Sequence, residues 1–236
     1  MIDARNLYKS YGETRALRGV SLAVPEGTVM TLLGPNGSGK TTLIKVLALL
    51  TRADFGAASI CGRDGGEDPA FVRRRIGVVT HQTMLYSELT ADENLKFYAR
   101  LYGVTTPGDR VTQVLAQVGM LHYAGQRVGT MSHGMAKRVA IARALVHQPR
   151  VLLLDEPETG LDEEALGMLK AIIRSPDAGG NPRTVLMTTH NIPMGLELAH
   201  SVAVMAAGRI VYQGAPQSLN EAALRDAYPQ LAGANR

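Results

Sequence analysis

The sequence predicts one α/β domain built on a parallel sheet, with a helical lobe set into it. Three observations carry that expectation. Residues 28–33 form a compact apolar run closed by a glycine-rich turn, and helical spacing follows through Leu43, Val46, Leu47 and Leu50. Residues 151–154 and 184–188 read as fully buried strands, the kind found inside a parallel sheet. The stretch 88–148 is helical in period and has no linker, repeat or low-complexity tract beside it, so it reads as an insertion rather than a second domain.

The remaining elements follow in order. Residues 2–7 and 17–24 alternate apolar and polar positions, and Pro25, Glu26 and Gly27 make the turn after them. A helix is expected over 40–50, and strands over 58–61 and 76–80. Residues 91–121 should be helical, interrupted by Thr105, Thr106, Pro107 and Gly108. Another helix should start after Ser132 and run to about His147, and one more should span 163–174. Residues 175–182, rich in Pro, Gly, Asp and Asn, form a surface loop.

The chain has 236 residues, 45% of them hydrophobic, which suffices for a core without disulfides or structural metal. A lone Cys61 excludes an intramolecular disulfide and fits a reducing compartment. No apolar run approaches the ~20 residues of a membrane-spanning helix. Residues 1–5 show no secretory leader, so a cytosolic location is expected. The net charge of +4 hides one tight basic run, Arg73, Arg74 and Arg75. Stacking aromatics beside it are absent, so it reads as a solvated helix face, and no nucleic acid is expected as partner.

Gly34, Pro35, Asn36, Gly37, Ser38, Gly39, Lys40 and Thr41 match the P-loop pattern of Gly, four residues, then Gly-Lys-Ser/Thr. Glycines allow backbone angles that turn successive N–H groups inward around an anion. The following helix adds its positive dipole end, and the Lys40 ammonium reaches the β- and γ-phosphates. The Thr41 hydroxyl is placed to ligate Mg²⁺, and Thr42 follows it in the same first turn. By composition alone the pattern would arise in roughly one such chain per hundred. Its place between a buried strand and an amphipathic helix makes accident rarer still.

Residues 151–156 form an apolar strand ending in Asp155 and Glu156. A parallel strand delivers both carboxylates to the sheet edge where the glycine loop sits, and alternation sends them different ways. Asp155 then holds Mg²⁺, and Glu156 orients and deprotonates a water. The same pair would also serve as an ordinary cap and first-turn acid of a helix.

From here the chain resembles an ATP-binding cassette, the nucleotide-binding subunit of ABC transporters, over nearly its whole length. Gln82 stands where that family has its Q-loop glutamine. Met131, Ser132, His133, Gly134 and Met135 are similar to its signature, usually Leu-Ser-Gly-Gly-Gln. Gly160, Leu161 and Asp162 match the D-loop, His190 the switch histidine, and Tyr11 the aromatic that stacks on adenine. The resemblance implies a RecA-like P-loop core with an N-terminal antiparallel β region and the inserted lobe. It implies ATP and Mg²⁺ as cofactors, with Gln82 and His190 catalytic beside Glu156, and Gln82 on the metal with Thr41 and Asp155. It implies a head-to-tail homodimer in which Ser132, Gly134 and Asp162 of one copy meet ATP held by the other. Integral membrane permease subunits complete the assembly, and the chain would lie on the inner face of the cell membrane.

Three departures stand out. His133 replaces a glycine and Met135 a glutamine in the signature, and Glu158 is unusual in the run Glu156, Pro157, Glu158, Thr159, Gly160. A narrower resemblance rests on His81–Gln82, Leu85–Tyr86, Leu89–Thr90, Glu93–Asn94–Leu95 and the stretch 97–103. It is to ABC-2-type exporters, above all the ATPase subunit of the haem exporter of bacterial cytochrome c maturation. Drug and polysaccharide exporters share much of it. Phe97, Leu101, Tyr98 and Tyr102 recur at helical spacing, which by itself reads as core. A soluble ABC ATPase of DNA repair or translation, and a degenerate regulatory module, are the competing classes. A single cysteine cannot build the zinc element some of the former carry.

Overall fold

The computed structural model describes residues 1–177 and 179–219. Ala178 of the expected surface loop lies outside the described residues, as does 220–236 at the end of the expected single domain. Strand β1 (Ile2–Tyr11) pairs antiparallel with β2 (Thr14–Val24). The core β3 (Val29–Leu33) leads through the glycine loop into α1 (Lys40–Leu47). The chain then returns to the antiparallel region with β4 (Phe55–Ile60), which pairs with β1, and the two-residue β5 (Arg63–Asp64). A short helix α2 (Pro69–Arg73) precedes β6 (Ile76–Val79).

Next come the helices of the expected lobe, α3 (Ala91–Leu101), α4 (Pro107–Gln117) and α5 (His133–Leu145). The chain re-enters the sheet with β7 (Val151–Asp155), then α6 (Glu163–Arg174), β8 (Thr184–Thr188), α7 (Ile192–Leu198), β9 (Ser201–Ala206) and β10 (Arg209–Gly214). Among the described residues the strands form two sheets. One is four-stranded, β2-β1-β4-β5, and the other six-stranded, β10-β9-β3-β8-β7-β6. In the larger sheet every pairing is parallel except that of β9 with β10.

The parallel strands are apolar on both faces because both faces are covered. Leu152 and Leu154 of β7 pack with α3, α4, α5 and α6 through Leu95, Val114, Val139 and Leu169. Val151 and Leu153 face the other way, onto Leu43, Ile44 and Leu47 of α1 and the antiparallel sheet. Burying one such side chain stabilises the fold by about 1.5–3 kcal/mol, and an alternating sheet could not use both faces this way.

Several element ends differ from the expectation for local reasons. Helix α1 stops at Leu47 rather than 50 because Leu49 takes a left-handed backbone, φ 57°, and Leu50 N closes on Lys45 O. Strand β1 runs on to Tyr11 because its hairpin extends past the core, where alternation no longer reports pairing. The Thr90 hydroxyl accepts from Glu93 N while the Glu93 carboxylate accepts from Thr90 N, a reciprocal cap that fixes the start of α3. Phe97 and Leu101 correct the core reading: they are 41% and 67% exposed. The buried stripe of α3 is instead Ala91, Asn94, Leu95 and Ala99, flanked by the half-buried Tyr98 and Tyr102. The basic run is mostly solvated, as expected, except that Arg75 lies over the Phe71 ring at 3.5 Å.

His147 joins the helices to the sheet. Its Nε2 lies 2.9 Å from Ile76 O, and its ring stacks on Tyr102 with centroids 3.9 Å apart. Burial pushes its pKa down to about 4; the bond to Ile76 opposes the shift, and Arg143 and Arg110 add to it. An unfolded imidazole takes its proton near pH 6.5. The neutral folded ring therefore contributes stability that is complete above that pH and is lost as pH falls toward 4. Denaturant midpoints are expected to drop across this window. His147→Gln, which keeps a donor for Ile76, should remove about one proton from the linkage. If the acid slope of that variant equals the parent's, another group carries it.

Candidate functional site

The site grows from the carboxyl edge of the parallel sheet. Strand β3 ends at Leu33, and the loop from Gly34 to Gly39 turns into α1. Gly34 has φ 152° and Gly39 φ 108°; a Cβ on either would run into a backbone carbonyl, that of Met205 or Ala16. Glycine is thus required twice, by dihedral and by space. Lys40 is buried at the mouth of this loop, and its Nζ donates to Gly34 O at 2.7 Å and Pro35 O at 3.0 Å. Burial pushes the ammonium pKa down, while Glu156 and Asp155 pull it back up. Ser38 Oγ is buried without a hydrogen-bond partner among the described residues, an orphan that an incoming phosphate oxygen would satisfy.

Parallel pairing sets the acidic strand beside this loop. The register places Asp155 opposite Thr188 at the end of β8. Asp155 is fully buried; its Oδ1 accepts from Thr188 Oγ1 at 2.8 Å and from Thr41 Oγ1 at 3.1 Å. Its Oδ2 is buried with no hydrogen-bond partner among the described residues. One buried carboxylate oxygen without a donor, beside a threonine hydroxyl and next to a phosphate loop, fits Mg²⁺. That ion binds through one or two carboxylates plus substrate oxygens and keeps several waters. Among the described residues no cluster of three or more His, Cys, Asp or Glu forms a dedicated metal cage.

Glu156 is the first residue past β7 and sits in a left-handed backbone, φ 47°, which is uncommon for a non-glycine residue. Two bonds hold it there, as its N–H donates to Thr188 O at 3.2 Å and Thr188 Oγ1 at 3.0 Å. His190 Nε2 lies 2.5 Å from Glu156 Oε1. A cavity of about 540 Å³ opens beside the glycine loop, lined by Tyr11, Thr41, Gln82 and Asp155 among others. The Tyr11 ring is half exposed at one side of it, with Lys9 Nζ 5.5 Å from its centroid. One neighbourhood therefore gathers the glycine loop, Lys40, Thr41, Asp155, Glu156, His190, Gln82 and Tyr11.

Three expected residues lie elsewhere. Ser132 is the N-cap of α5, its Oγ accepting from Met135 N at 3.2 Å, and neither it nor Gly134 lines the cavity. Gly134 packs against Gly160 O so closely that a Cβ would sit 2.9 Å from it, and His133 covers Gly160. Asp162 caps α6 by accepting from Ala165 N at 2.8 Å, and its carboxylate takes two bonds from Arg138 of α5. Within one chain, the signature segment and the D-loop are joined to each other rather than to the phosphate loop.

Two contributors escaped the sequence reading as site residues. His81 Nε2 stands 3.6 Å from Asp155 Oδ2 and 3.7 Å from Glu156 Oε2, so a histidine flanks each side of Glu156. The signal was register: Val79 pairs with Leu154, which carries residues 80–81 alongside 155–156. Lys137 of α5 is buried beneath the site and donates to Glu156 O at 3.3 Å and Thr80 O at 3.4 Å. Burial pushes its pKa down, opposed by Glu158, Asp155 and Glu156. The expected helix from Ser132 to about His147 contains position 137, but its sequence carries no signal of what a lysine would do there.

A parallel core with a glycine loop after β3, an antiparallel flank and an acidic strand end with His190 beside it define an ATP-binding cassette. A family model described as ABC transporter matches residues 17–159, and the chain belongs to that family. It is 38% identical to the ABC transporter ATP-binding protein NatA of Bacillus subtilis, with 88% of this chain and 85% of that protein covered. It is 39% identical to the Nod factor export ATP-binding protein I of Burkholderia orbicola, over 93% of this chain and 72% of the relative. The daunorubicin resistance ATP-binding protein DrrA2 of Streptomyces coeruleorubidus is also 39% identical, with 92% and 68% covered. Among solved structures, a dimeric ATP-binding cassette in a post-hydrolysis state bound to ADP and Pi superposes with a TM-score of 0.82. It shares 26% identity, with 93% of this chain and 100% of that one covered.

Proposed function

We propose that this chain is the ATP-binding and ATP-hydrolysing subunit of a membrane exporter, working as a head-to-tail homodimer beneath integral permease subunits. The observation that carries the reading is the Glu156 carboxylate, held against His190 at the edge of the phosphate cradle. Tyr11 takes the adenine face, the glycine loop amides and Lys40 take the phosphates, and Glu156 accepts the proton of the attacking water. His190 fixes the carboxylate that does so. Thr41, Gln82 and Asp155 would hold Mg²⁺, whose charge neutralises the β- and γ-phosphate oxygens when bound.

The dimer supplies what one chain lacks at its own site. Ser132 and Gly134, at the positive end of α5, would close over the γ-phosphate of nucleotide held by the second copy. Nucleotide at that seam favours the closed pair, and loss of the γ-phosphate releases it. The dimeric state of the cassette compared above supports this arrangement.

Export as the direction of transport is supported by relatives named for Nod factor export and daunorubicin resistance. Haem export for cytochrome c biogenesis rests on the resemblance around His81–Gln82 and residues 97–103; export of a drug or polysaccharide is the other reading. The permease would dock where the segment after Gln82 meets α3, and there Tyr86, Phe97 and Leu101 are exposed. Among the described residues no helix is long and apolar enough to cross a membrane, so contact with the bilayer would come through that partner at its cytoplasmic face. Phosphate release that requires Mg²⁺, together with retention of the chain on membranes only when its permease is co-produced, is the expected result. Salt-sensitive retention on DNA instead would favour the soluble repair class.

A further inference from the structure

Glu158 has no part in the site as built so far, yet it is bound to it. It lies two residues past Glu156 in the turn after β7, where Thr159 N closes on Glu156 O and Leu161 N on Glu158 O. Its Oε1 accepts from the hydroxyl of Thr189 and, at 3.2 Å, from the backbone N–H of His190. Thr189 is fully buried, and its Oγ1 also accepts from Asn191 N at 2.9 Å. Asn191 in turn caps α7 by accepting from Met194 N. Among the described residues Oε2 of Glu158 is buried without a hydrogen-bond partner, and Glu158 favours the charge of the buried Lys137.

These bonds hold the switch segment at two points. The imidazole of His190 meets Glu156, and the peptide that carries it meets Glu158. Because Glu156 and Glu158 belong to one tight turn, the distance between histidine and base is set within a single rigid bracket. A short side chain at 158 could not reach both donors, and it would leave the buried Thr189 hydroxyl only the long contact to Asn191 O at 3.5 Å, a loss of the kind that shifts a loop.

We propose that Glu158 is a positioning residue for ATP hydrolysis: it clamps the Thr189–His190 backbone so that the imidazole stays against Glu156. The inference rests on the ATPase reading above. It assigns Glu158 no contact with nucleotide, so nucleotide affinity is not its readout.

The test compares the parent, Glu158→Ala, Glu158→Gln, Thr189→Val, His190→Ala and the Glu158→Ala/His190→Ala double variant, each in the full chain. Phosphate release gives kcat and KM, and binding of a fluorescent ATP analogue gives affinity. Glu158→Ala is expected to lower kcat about tenfold or more while KM and affinity stay within about twofold. Glu158→Gln, whose amide oxygen can accept both bonds, should keep kcat within about threefold of the parent. In the His190→Ala background, Glu158→Ala should add less than about twofold, because residues acting as one unit are not additive. Thr189→Val, which removes half of the clamp without touching Glu158, should lower kcat in the same direction, so the proposal stays exposed if Glu158→Ala fails to fold. A parent-like kcat in Glu158→Ala or Thr189→Val, full additivity with His190→Ala, or equal inactivity of the Gln and Ala variants would overturn it. Failure of the ATPase reading looks different: the parent binds the analogue but releases no phosphate, His190→Ala changes nothing, and the proposal goes with it.

Discussion

Glu156→Gln is expected to bind ATP as the parent does, release phosphate about 10²–10⁴ times more slowly, and accumulate as an ATP-dependent dimer. The substitution keeps the size and position of the side chain. Its N–H still donates to Thr188, which is what holds the strained left-handed backbone at 156. The amide oxygen can still meet His190, and Asp155, Thr41 and Lys40 are untouched. What is lost is the capacity to take a proton from water. Binding and turnover therefore separate, and the closed pair persists because the contact that hydrolysis would remove remains. Size-exclusion chromatography with and without ATP reads the dimer, and phosphate release reads the chemistry. A variant that turns over at the parent rate would place the base elsewhere, with His81, 3.7 Å from the same carboxylate, the next group to examine.

Legibility in the sequence followed burial. Strands β3, β7 and β8 are buried at every position, and their apolar runs could be read to within a residue of their ends. The glycine loop and the Asp155–Glu156 pair inherit their place from those strands, so their neighbourhood was readable too. The antiparallel hairpin was readable only where it covers the core. Past Leu7 its side chains are exposed or half-buried, held by backbone pairing and polar bonds such as Lys9 to Asp54, so no apolar alternation marks it. Helix α2 was read only as a solvated basic face and given no bounds, although Asp68 caps it and Pro69 opens it, because five residues are too few to show a period. On α3 the period was seen but its phase was not, and Phe97 and Leu101 fell on the open face.

Within the site, what could not be read is what depends on two elements meeting. Lys137, His81 and Glu158 act through carbonyls, carboxylates and a loop brought from distant positions, and no spacing along the chain encodes such a meeting. Asp162 was readable as the D-loop aspartate by resemblance, whereas its bonds to Arg138 and the start of α6 show what it does within one chain. The left-handed backbone of Glu156 is likewise a product of the Thr188 bonds.

Lys40→Ala carries the other large expected effect, a loss of ATP affinity with little change in the stability of the nucleotide-free protein. The two consequences separate because the ammonium stands in two different balances. Without nucleotide it is buried and partly stripped of water, a cost its bonds to Gly34 O and Pro35 O and the field of Glu156 and Asp155 only offset. Removing it gives up those bonds and that cost together. With nucleotide, the same cation faces several phosphate charges in a site already dry, and deleting it leaves them short of a counter-charge. Truncating one partner of such a buried pair costs about 2–5 kcal/mol, which is roughly 30- to 5,000-fold in affinity. A ligand present at 100 times its Kd stabilises the folded state by about 2.7 kcal/mol, so the parent's melting temperature should rise with Mg-ATP and the variant's should not at the same concentration. A Lys40→Ala protein that melts alone within a few degrees of the parent, and gains as much from ATP, would show that phosphate is held somewhere other than the loop from Gly34 to Gly39.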